Sequence, residues 1–213
     1  MTIAPHWLDG LSTPNALAEN LRTLDKYVVE AVGTFGLVVT VGVGLCSRSP
    51  FAALAIGAVL MALIYASGRR VGAHFNPAIT LAAALRGRIA FGEAAAYWSA
   101  QLAAGLCAAM ATAFIVGPGQ SEAVTEMMVG GRTLVASFGA ELLFTLVLAY
   151  VVFSCFDSPR RAPDSVWHFA IGVAVLAGAV DFAALFGGVY LVSQVIAGVF
   201  TAIAFLTFGS TAR

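Results

Sequence analysis

The residues with the clearest chemical potential lie together in the stretch Gly72-Ala73-His74-Phe75-Asn76-Pro77-Ala78-Ile79-Thr80. Asn76 is a good helix N-cap, because its side-chain oxygen can accept an unpaired N–H of the first turn. Pro77 suits the first helical position, where a backbone N–H is not needed. The apolar helix that follows, Ala78 to Leu85, is far shorter than the roughly 20 residues that span a bilayer. Two interpretations are open: a capped turn between two ordinary helices, or a re-entrant half-helix whose N-terminus points into a pore.

Other polar residues lie inside apolar segments. Glu30 and Glu141 are costly in lipid and are therefore expected to face the interior of the helix bundle. Gln101 and Gln194 are expected to form hydrogen bonds between helices. His74 has two interpretations, a pH-dependent gate or a packed, hydrogen-bonded loop histidine, and the second is favoured.

The composition defines the environment of these residues. Of 213 residues, 60% are hydrophobic and 10% charged, whereas a soluble domain has about 25% charged residues. With a mean hydropathy of +0.92, the chain is expected to be a polytopic membrane protein. The formal net charge of zero gives no reason to expect a nucleic-acid partner. The three cysteines are interpreted as small buried hydrophobic residues, and no cofactor, metal site or catalytic residue is predicted. No cleavable signal is predicted either, because the first 25 residues are polar and contain two prolines.

The apolar segments predict six membrane spans. A cytoplasmic arm, 1–26, is expected to contain a short surface helix around Ala16–Leu24, and a tail follows at 209–213. The spans are predicted at Tyr27–Cys46, Phe51–Ser67, Phe91–Val116, Thr133–Phe156 and, as two helices, within Val166–Phe208. Lys and Arg are concentrated in cytoplasmic loops of membrane proteins. An N-terminus inside the cell places nine of these residues in the cytoplasm and two, Arg48 and Arg132, outside. Both termini are therefore predicted to be cytoplasmic, and the Asn76 loop to enter from that side.

Three short motifs recur in the same order in the two halves of the chain. Glu30 to Thr34 recurs as Glu141 to Thr145, Ala55-Ile56-Gly57 as Ala170-Ile171-Gly172, and Tyr97…Gln101…Gly105 as Tyr190…Gln194…Gly198. Three spans separate the members of each pair, so the two copies, 27–116 and 133–208, have opposite orientations in the membrane. In transporters built from such inverted repeats, the substrate path lies at the repeat interface near the midplane.

The motif around Asn76, together with Glu30…Thr34 and Tyr97…Gln101…Gly105, resembles the aquaporin, or major intrinsic protein, family over residues 27–208. The resemblance implies an all-α fold with six transmembrane helices in an inverted 3+3 repeat and two re-entrant half-helices. It also implies a homotetramer in the plasma membrane, surrounded by lipid, with one pore per subunit for water, glycerol or another small neutral solute. Pore residues by this resemblance are Gly72, His74, Asn76, Pro77 and Ala78. Glu30 and Glu141 would be braces that accept hydrogen bonds from the re-entrant loops, a role favoured over one in transport.

The second half departs from this pattern. A second Asn-Pro-Ala is expected near position 191, which is Leu, and the interval from Ile171 to Gln194 is 22 residues shorter than that from Ile56 to Gln101. Asp181-Phe182-Ala183 is a conceivable degenerate copy, but its spacing favours a true deletion of the second loop and half-helix. Three explanations of the missing residues are open: a natural deletion, an engineered deletion or a wrongly assigned coding sequence.

The resemblance also shows what the shorter second half would do to the outer pore. The constriction positions fall on Ile56 and Ala179, and the constriction Arg has no counterpart. The outer pore is therefore expected to be apolar and either wide or collapsed, with the last two helices tilted inward or lipid entering the gap.

Three functions are compatible with these residues. The favoured one is a channel for passive transport of water or small neutral solutes with an altered outer pore. The alternative is a non-conducting membrane scaffold, or a subunit that assembles with intact relatives. An intramembrane enzyme has the least support, because no plausible catalytic set of residues occurs in the sequence.

Overall fold

The computed structural model describes residues 14–47, 49–67, 72–117, 134–157, 170–174 and 188–208. These residues are mainly helical, and no strand occurs among them, which confirms the all-α fold class. The helices are α1 (Pro14–Ser47), α2 (Ala52–Ser67), α3 (Pro77–Leu85), α4 (Phe91–Val116), α5 (Leu134–Asp157) and α6 (Gly188–Phe208). Residues 170–174 are also helical.

Most helix bounds agree with the sequence prediction, and α1 is the exception. The bounds of α4 are those predicted, and those of α2 and α5 differ by at most one residue. The expected surface helix around Ala16–Leu24 and the first span form one helix of 34 residues, because neither Pro nor Gly interrupts residues 15–32. At about 1.5 Å per residue, this helix is longer than the roughly 30 Å hydrocarbon core of a bilayer. The N-terminal part of α1 therefore extends beyond the membrane.

Three described helices are long and apolar enough to cross a membrane: Leu24–Ser47 within α1, the whole of α4, and Phe138–Cys155 within α5. Two shorter apolar helices, Ala52–Ser67 and Val195–Thr207, accompany them. The predicted fifth span lies outside the described residues except for 170–174. The total of six spans and the inverted repeat stay predictions.

Large apolar side chains on the outside of these helices suit a lipid environment. On α4, for example, Leu106 and Met110 are exposed, and Phe114 is 91% exposed. One sequence prediction is wrong here: Cys107 is also exposed and Cys46 is only partly buried, so Cys155 alone of the three cysteines is a buried residue. Cys107 follows directly on the outward-facing Leu106, and its predicted burial overlooked which face of α4 it occupies.

Helices α1 and α4 run parallel and in contact along their length. At one end the Lys26 ammonium lies 2.9 Å from the Glu93 carboxylate. Towards the other end, a Cβ added to Gly42 would lie 2.6 Å from Cγ2 of Thr112. Small residues at such positions let helix backbones approach closely. This parallel pair forms the wall behind the Asn76 loop.

The short helix α3 connects this wall to the second half of the chain. A Cβ on Gly198 of α6 would lie 2.9 Å from the carbonyl oxygen of Ala78 and 3.3 Å from Cδ2 of Leu81. Farther along α3, Ala82 and Ala83 belong to a hydrophobic core that includes residues of α2, α5 and α6. The half-helix is therefore packed between the two halves of the chain.

The segment 170–174 packs directly on α2. A Cβ added to Gly172 would lie 2.9 Å from Cβ of Met61 and 3.0 Å from the carbonyl oxygen of Gly57. Gly57 and Gly172 are equivalent positions in the motifs that recur in the sequence. A contact between these two positions is expected if the two segments are related by an axis that passes close to both.

Candidate pore site

The loop before α3 has an unusual backbone conformation. Gly72, Ala73 and Phe75 have φ angles of 88°, 46° and 48°. Only glycine adopts this left-handed region without a steric penalty, and another residue held there costs about 1–3 kcal/mol. Ala73 and Phe75 therefore need surrounding contacts that hold the loop in place.

Glu30 provides the central contact. Its side chain is fully buried, and its carboxylate accepts hydrogen bonds from the backbone N–H of His74 at 3.0 Å and from that of Phe75. The Gln101 amide donates a third bond, at 2.7 Å. These bonds are the geometry that the brace interpretation requires, and they join α1, α4 and the loop.

Thr80 extends this network into the first turn of α3. Its hydroxyl donates to the Asn76 carbonyl oxygen at 3.1 Å and accepts from Nε2 of Gln101 at 2.9 Å. Nδ1 of His74 lies 3.1 Å from the same hydroxyl oxygen. The tautomer of the His74 ring decides which of these two groups donates the proton. His74 is thus part of a packed, hydrogen-bonded loop, and its ring also lies 4.9 Å from the ring of Tyr97.

Asn76 caps the N-terminus of α3. With extended backbone angles, it accepts hydrogen bonds at Oδ1 from the N–H groups of Ala78, at 2.7 Å, and Ile79, at 3.3 Å. Pro77 occupies the first helical position. With Oδ1 engaged, the Nδ2 protons are the donors that this side chain can offer to a solute.

The other end of α3 is capped by glycine. Gly87 has a φ of 68°. Its N–H donates to the carbonyl oxygen of Ala84 at 2.9 Å, and the N–H of Arg88 donates to the carbonyl oxygen of Ala83 at 2.9 Å. This pair of bonds is a Schellman motif, in which a left-handed residue ends a helix. The helix is nine residues long, six of them buried. A short, mostly buried helix with a cap at each end is the structure that the re-entrant interpretation requires.

The sequence profile of the major intrinsic protein family matches residues 18–190. The chain belongs to the major intrinsic protein family. Members of this family are membrane channels and not enzymes.

Individual relatives of this family member agree with the assignment. Aquaporin Z of Photorhabdus laumondii is 32% identical over 177 residues, which cover 72% of this chain and 74% of that protein. Aquaporin NIP1-4 of Oryza sativa is 36% identical over 139 residues, 65% of this chain and 48% of the relative. Probable aquaporin PIP2-8 of Oryza sativa is 34% identical over 131 residues. The chain spans about half the length of these two plant proteins.

The structure describes only some of the remaining predicted site residues of this family member. Ile56, a predicted constriction position, is 1% exposed and belongs to the hydrophobic core. Ala179, its predicted partner, lies outside the described residues, as does Asp181. Glu141 is 5% exposed and accepts a hydrogen bond from the Thr145 hydroxyl at 3.2 Å. The acids are thus both buried, as the sequence predicts for Glu30 and Glu141.

Several residues that hold the site were not singled out for that role from the sequence. The indole N–H of Trp98 donates to the Pro77 carbonyl oxygen at 3.1 Å. A Cβ on Gly33 would overlap the ring of Phe75, and a Cβ on Gly72 would lie 2.6 Å from the Tyr97 hydroxyl. The role of Trp98 could have been recognised from the sequence, because an indole N–H inside an apolar helix needs a hydrogen-bond acceptor.

The described residues contain no group of three or more His, Cys, Asp or Glu side chains that could hold a metal ion. The described site therefore consists of hydrogen-bond donors and acceptors around a helix terminus.

Proposed function

We propose that this chain is an aquaporin-like channel for passive transport of water or a small neutral, glycerol-type solute, with Asn76 at its pore. The observation that carries the proposal is the N-terminus of the half-helix α3, capped by Asn76 and fixed by Glu30 through the preceding loop. The names of the relatives, which are aquaporins of the Z, NIP and PIP types, support the same function.

The chemistry of the helix terminus suits a neutral solute. The N-terminus of α3 presents the positive end of the helix dipole, and the Asn76 side chain adds amide protons. A water or hydroxyl oxygen can accept from these donors, whereas a cation is repelled by them. The pore-motif residues Gly72, His74, Pro77 and Ala78 shape the loop and the first turn at this terminus and are not required to touch the solute.

We also propose that the outer pore is altered because the second loop and half-helix are missing. Helix α6 continues through Leu191, where the second Asn-Pro-Ala is expected. The match to Aquaporin Z extends over 177 aligned positions, but it includes only 72% of the 213 residues of this chain, which is fewer than 177 residues. The relative therefore has positions within the match that this chain lacks. The contact between Gly57 and Gly172 supports the inverted repeat on which the deletion argument depends. Ile56 and Ala179 would then border an apolar outer vestibule, and Glu141 would lack its loop.

The same deletion favours the alternative, a non-conducting scaffold or a subunit of a mixed assembly. A pore with one half-helix has lost half of the donors that line the centre of its relatives. Assembly as a homotetramer, location in the plasma membrane and cytoplasmic termini are parts of the proposal that come with membership of the family.

A flux assay on proteoliposomes tests the pore. In stopped-flow light scattering under water and glycerol gradients, wild-type vesicles should shrink well above the rate of protein-free vesicles. Asn76→Asp should lower or abolish this flux, because a carboxylate replaces the amide donors. Asn76→Ser is the matched variant: serine still caps the helix but has no amide group, so the fold should persist while flux falls.

The outcomes separate the two functions. Unchanged flux in both Asn76 variants would remove Asn76 from the pore. Wild-type shrinkage equal to the protein-free rate, with folding shown by circular dichroism, would establish the scaffold instead.

A further inference from the structure

The end of α3 opposite Asn76 carries a contact that the pore chemistry does not use. Arg86 directly follows the helix, and its guanidinium carbon lies 4.6 Å from the ring centroid of Phe153 on α5 and 4.5 Å from that of Phe205 on α6. Both distances are within the roughly 6 Å that defines a cation–π contact. The two rings are themselves in edge contact, with centroids 5.8 Å apart. One side chain of the first half is thus bound to two helices of the second half.

The position of Arg86 in the chain shows which part of α3 this contact holds. Its backbone N–H donates to the Ala82 carbonyl oxygen at 3.1 Å, so it terminates α3, and a cation at a helix C-terminus is stabilised by the dipole. Along α6, Phe205 is seven residues, or about two turns, after Gly198, which contacts Ala78. Helix α6 therefore contacts the first turn of the half-helix and also Arg86, the residue that directly follows it.

We propose that Arg86 is a positioning residue for the pore: through Phe153 and Phe205, the second half of the chain fixes the axis of α3 and hence the location of Asn76. The N-terminal end of α3 is held by the first half through Glu30 and Trp98, and Arg86 holds the other end. This inference rests on the proposed function for its effect on flux, but the contact itself does not depend on conduction.

Paired variants in the full-length protein test the inference. Arg86→Met keeps the aliphatic stem but removes the charge, and Phe205→Leu removes one ring from the partner side. Their matched controls are Arg88→Met, an exposed arginine of the same loop, and Phe200→Leu, an exposed ring of the same helix. Two readouts are taken from each variant in proteoliposomes: water permeability, and hydrogen–deuterium exchange of the amides of 74–80.

The expected results follow from the loss of two contacts. Exchange at 78–80 should accelerate by roughly five- to thirty-fold in Arg86→Met, with a smaller change in Phe205→Leu, and permeability should fall in both. In the double variant Arg86→Met/Phe205→Leu, the effects of the two substitutions should be less than additive, because both remove the same contact between Arg86 and Phe205. Arg86→Lys should recover part of the protection, while exchange within 36–45 of α1 stays unchanged in all variants.

The outcomes distinguish this inference from the proposed function. Exchange in Arg86→Met equal to that in Arg88→Met would overturn the positioning role, even if the wild type conducts. Wild-type vesicles that shrink at the protein-free rate would overturn the channel, while accelerated exchange in Arg86→Met would still establish the role of Arg86 in placing α3.

Discussion

At the scale of single residues, Glu30 joins the loop before α3 to α4. It offers carboxylate oxygens to two backbone N–H groups of a loop 44 and 45 residues away, and to the amide of Gln101. These bonds hold Ala73 and Phe75 in the left-handed region. We infer that this buried acid is a structural residue, because its acceptors suit the donors that surround it.

Replacing Glu30 by Gln should destabilise the protein by about 1–3 kcal/mol, because an amide nitrogen would face backbone donors and leave one unsatisfied. Thermal unfolding in detergent and exchange at 74 and 75 measure this effect. Glu93→Gln is the control, since it removes only the partly exposed ion pair with Lys26, worth about 0–1 kcal/mol. Equal losses of stability in the two variants would contradict the brace role of Glu30.

What the sequence could predict at this scale depended on local chemistry. The cap at Asn76 follows from residue type and the proline after it, so it could be recognised without a structure. The left-handed angles of Ala73 and Phe75 could not, because neither residue type favours them. They are imposed by Glu30, whose partners are distant in sequence. The exposure of Cys107 likewise could not be read from its residue type, because it depends on which face of α4 the residue occupies.

At the scale of elements, α3 owes its bounds to its own sequence and its position to other helices. Asn76, Pro77 and Gly87 define a short helix, and such signals are readable in advance. The helix α1 shows the opposite case: a polar N-terminal arm was expected, but an unbroken run of helix-compatible residues continues the span. That α3 packs on α6 depends on the tertiary fold, which no local pattern specifies.

Gly198 gives a prediction at this scale. Gly198→Leu would place a side chain against the Ala78 carbonyl and Leu81, so α3 should be displaced, with a destabilisation of about 1–3 kcal/mol and reduced flux. Gly105→Leu is the matched control. Gly105 occupies the position of Gly198 in the predicted first repeat, and a Cβ there meets no atom of the described chain within 4 Å. Thermal unfolding and vesicle shrinkage measure both variants; equal effects would mean that the α3–α6 contact is not specific.

At the scale of the whole molecule, the arrangement of helix ends supports the predicted orientation. Lys26 near the start of the span in α1 lies against Glu93 at the start of α4, and α3 ends directly before α4. Arg86 at the end of α3 contacts Phe205 near the end of α6. These four helix ends therefore share one side of the bundle. The side carries Lys26, Arg86 and Arg88, which are the residues that favour the cytoplasm.

This clustering yields the last prediction: a reporter fused after Arg213 should lie in the cytoplasm. A fluorescent protein at the C-terminus should fluoresce, and a phosphatase at the same point should be inactive, because it needs export to fold. A phosphatase fused after Gly117, which follows α4, should instead be active, since α4 crosses the membrane and ends on the other side. An active phosphatase at Arg213 would reverse the orientation of the whole bundle. The Asn76 loop would then enter from the outer face, and the orientation of the proposed pore would be reversed.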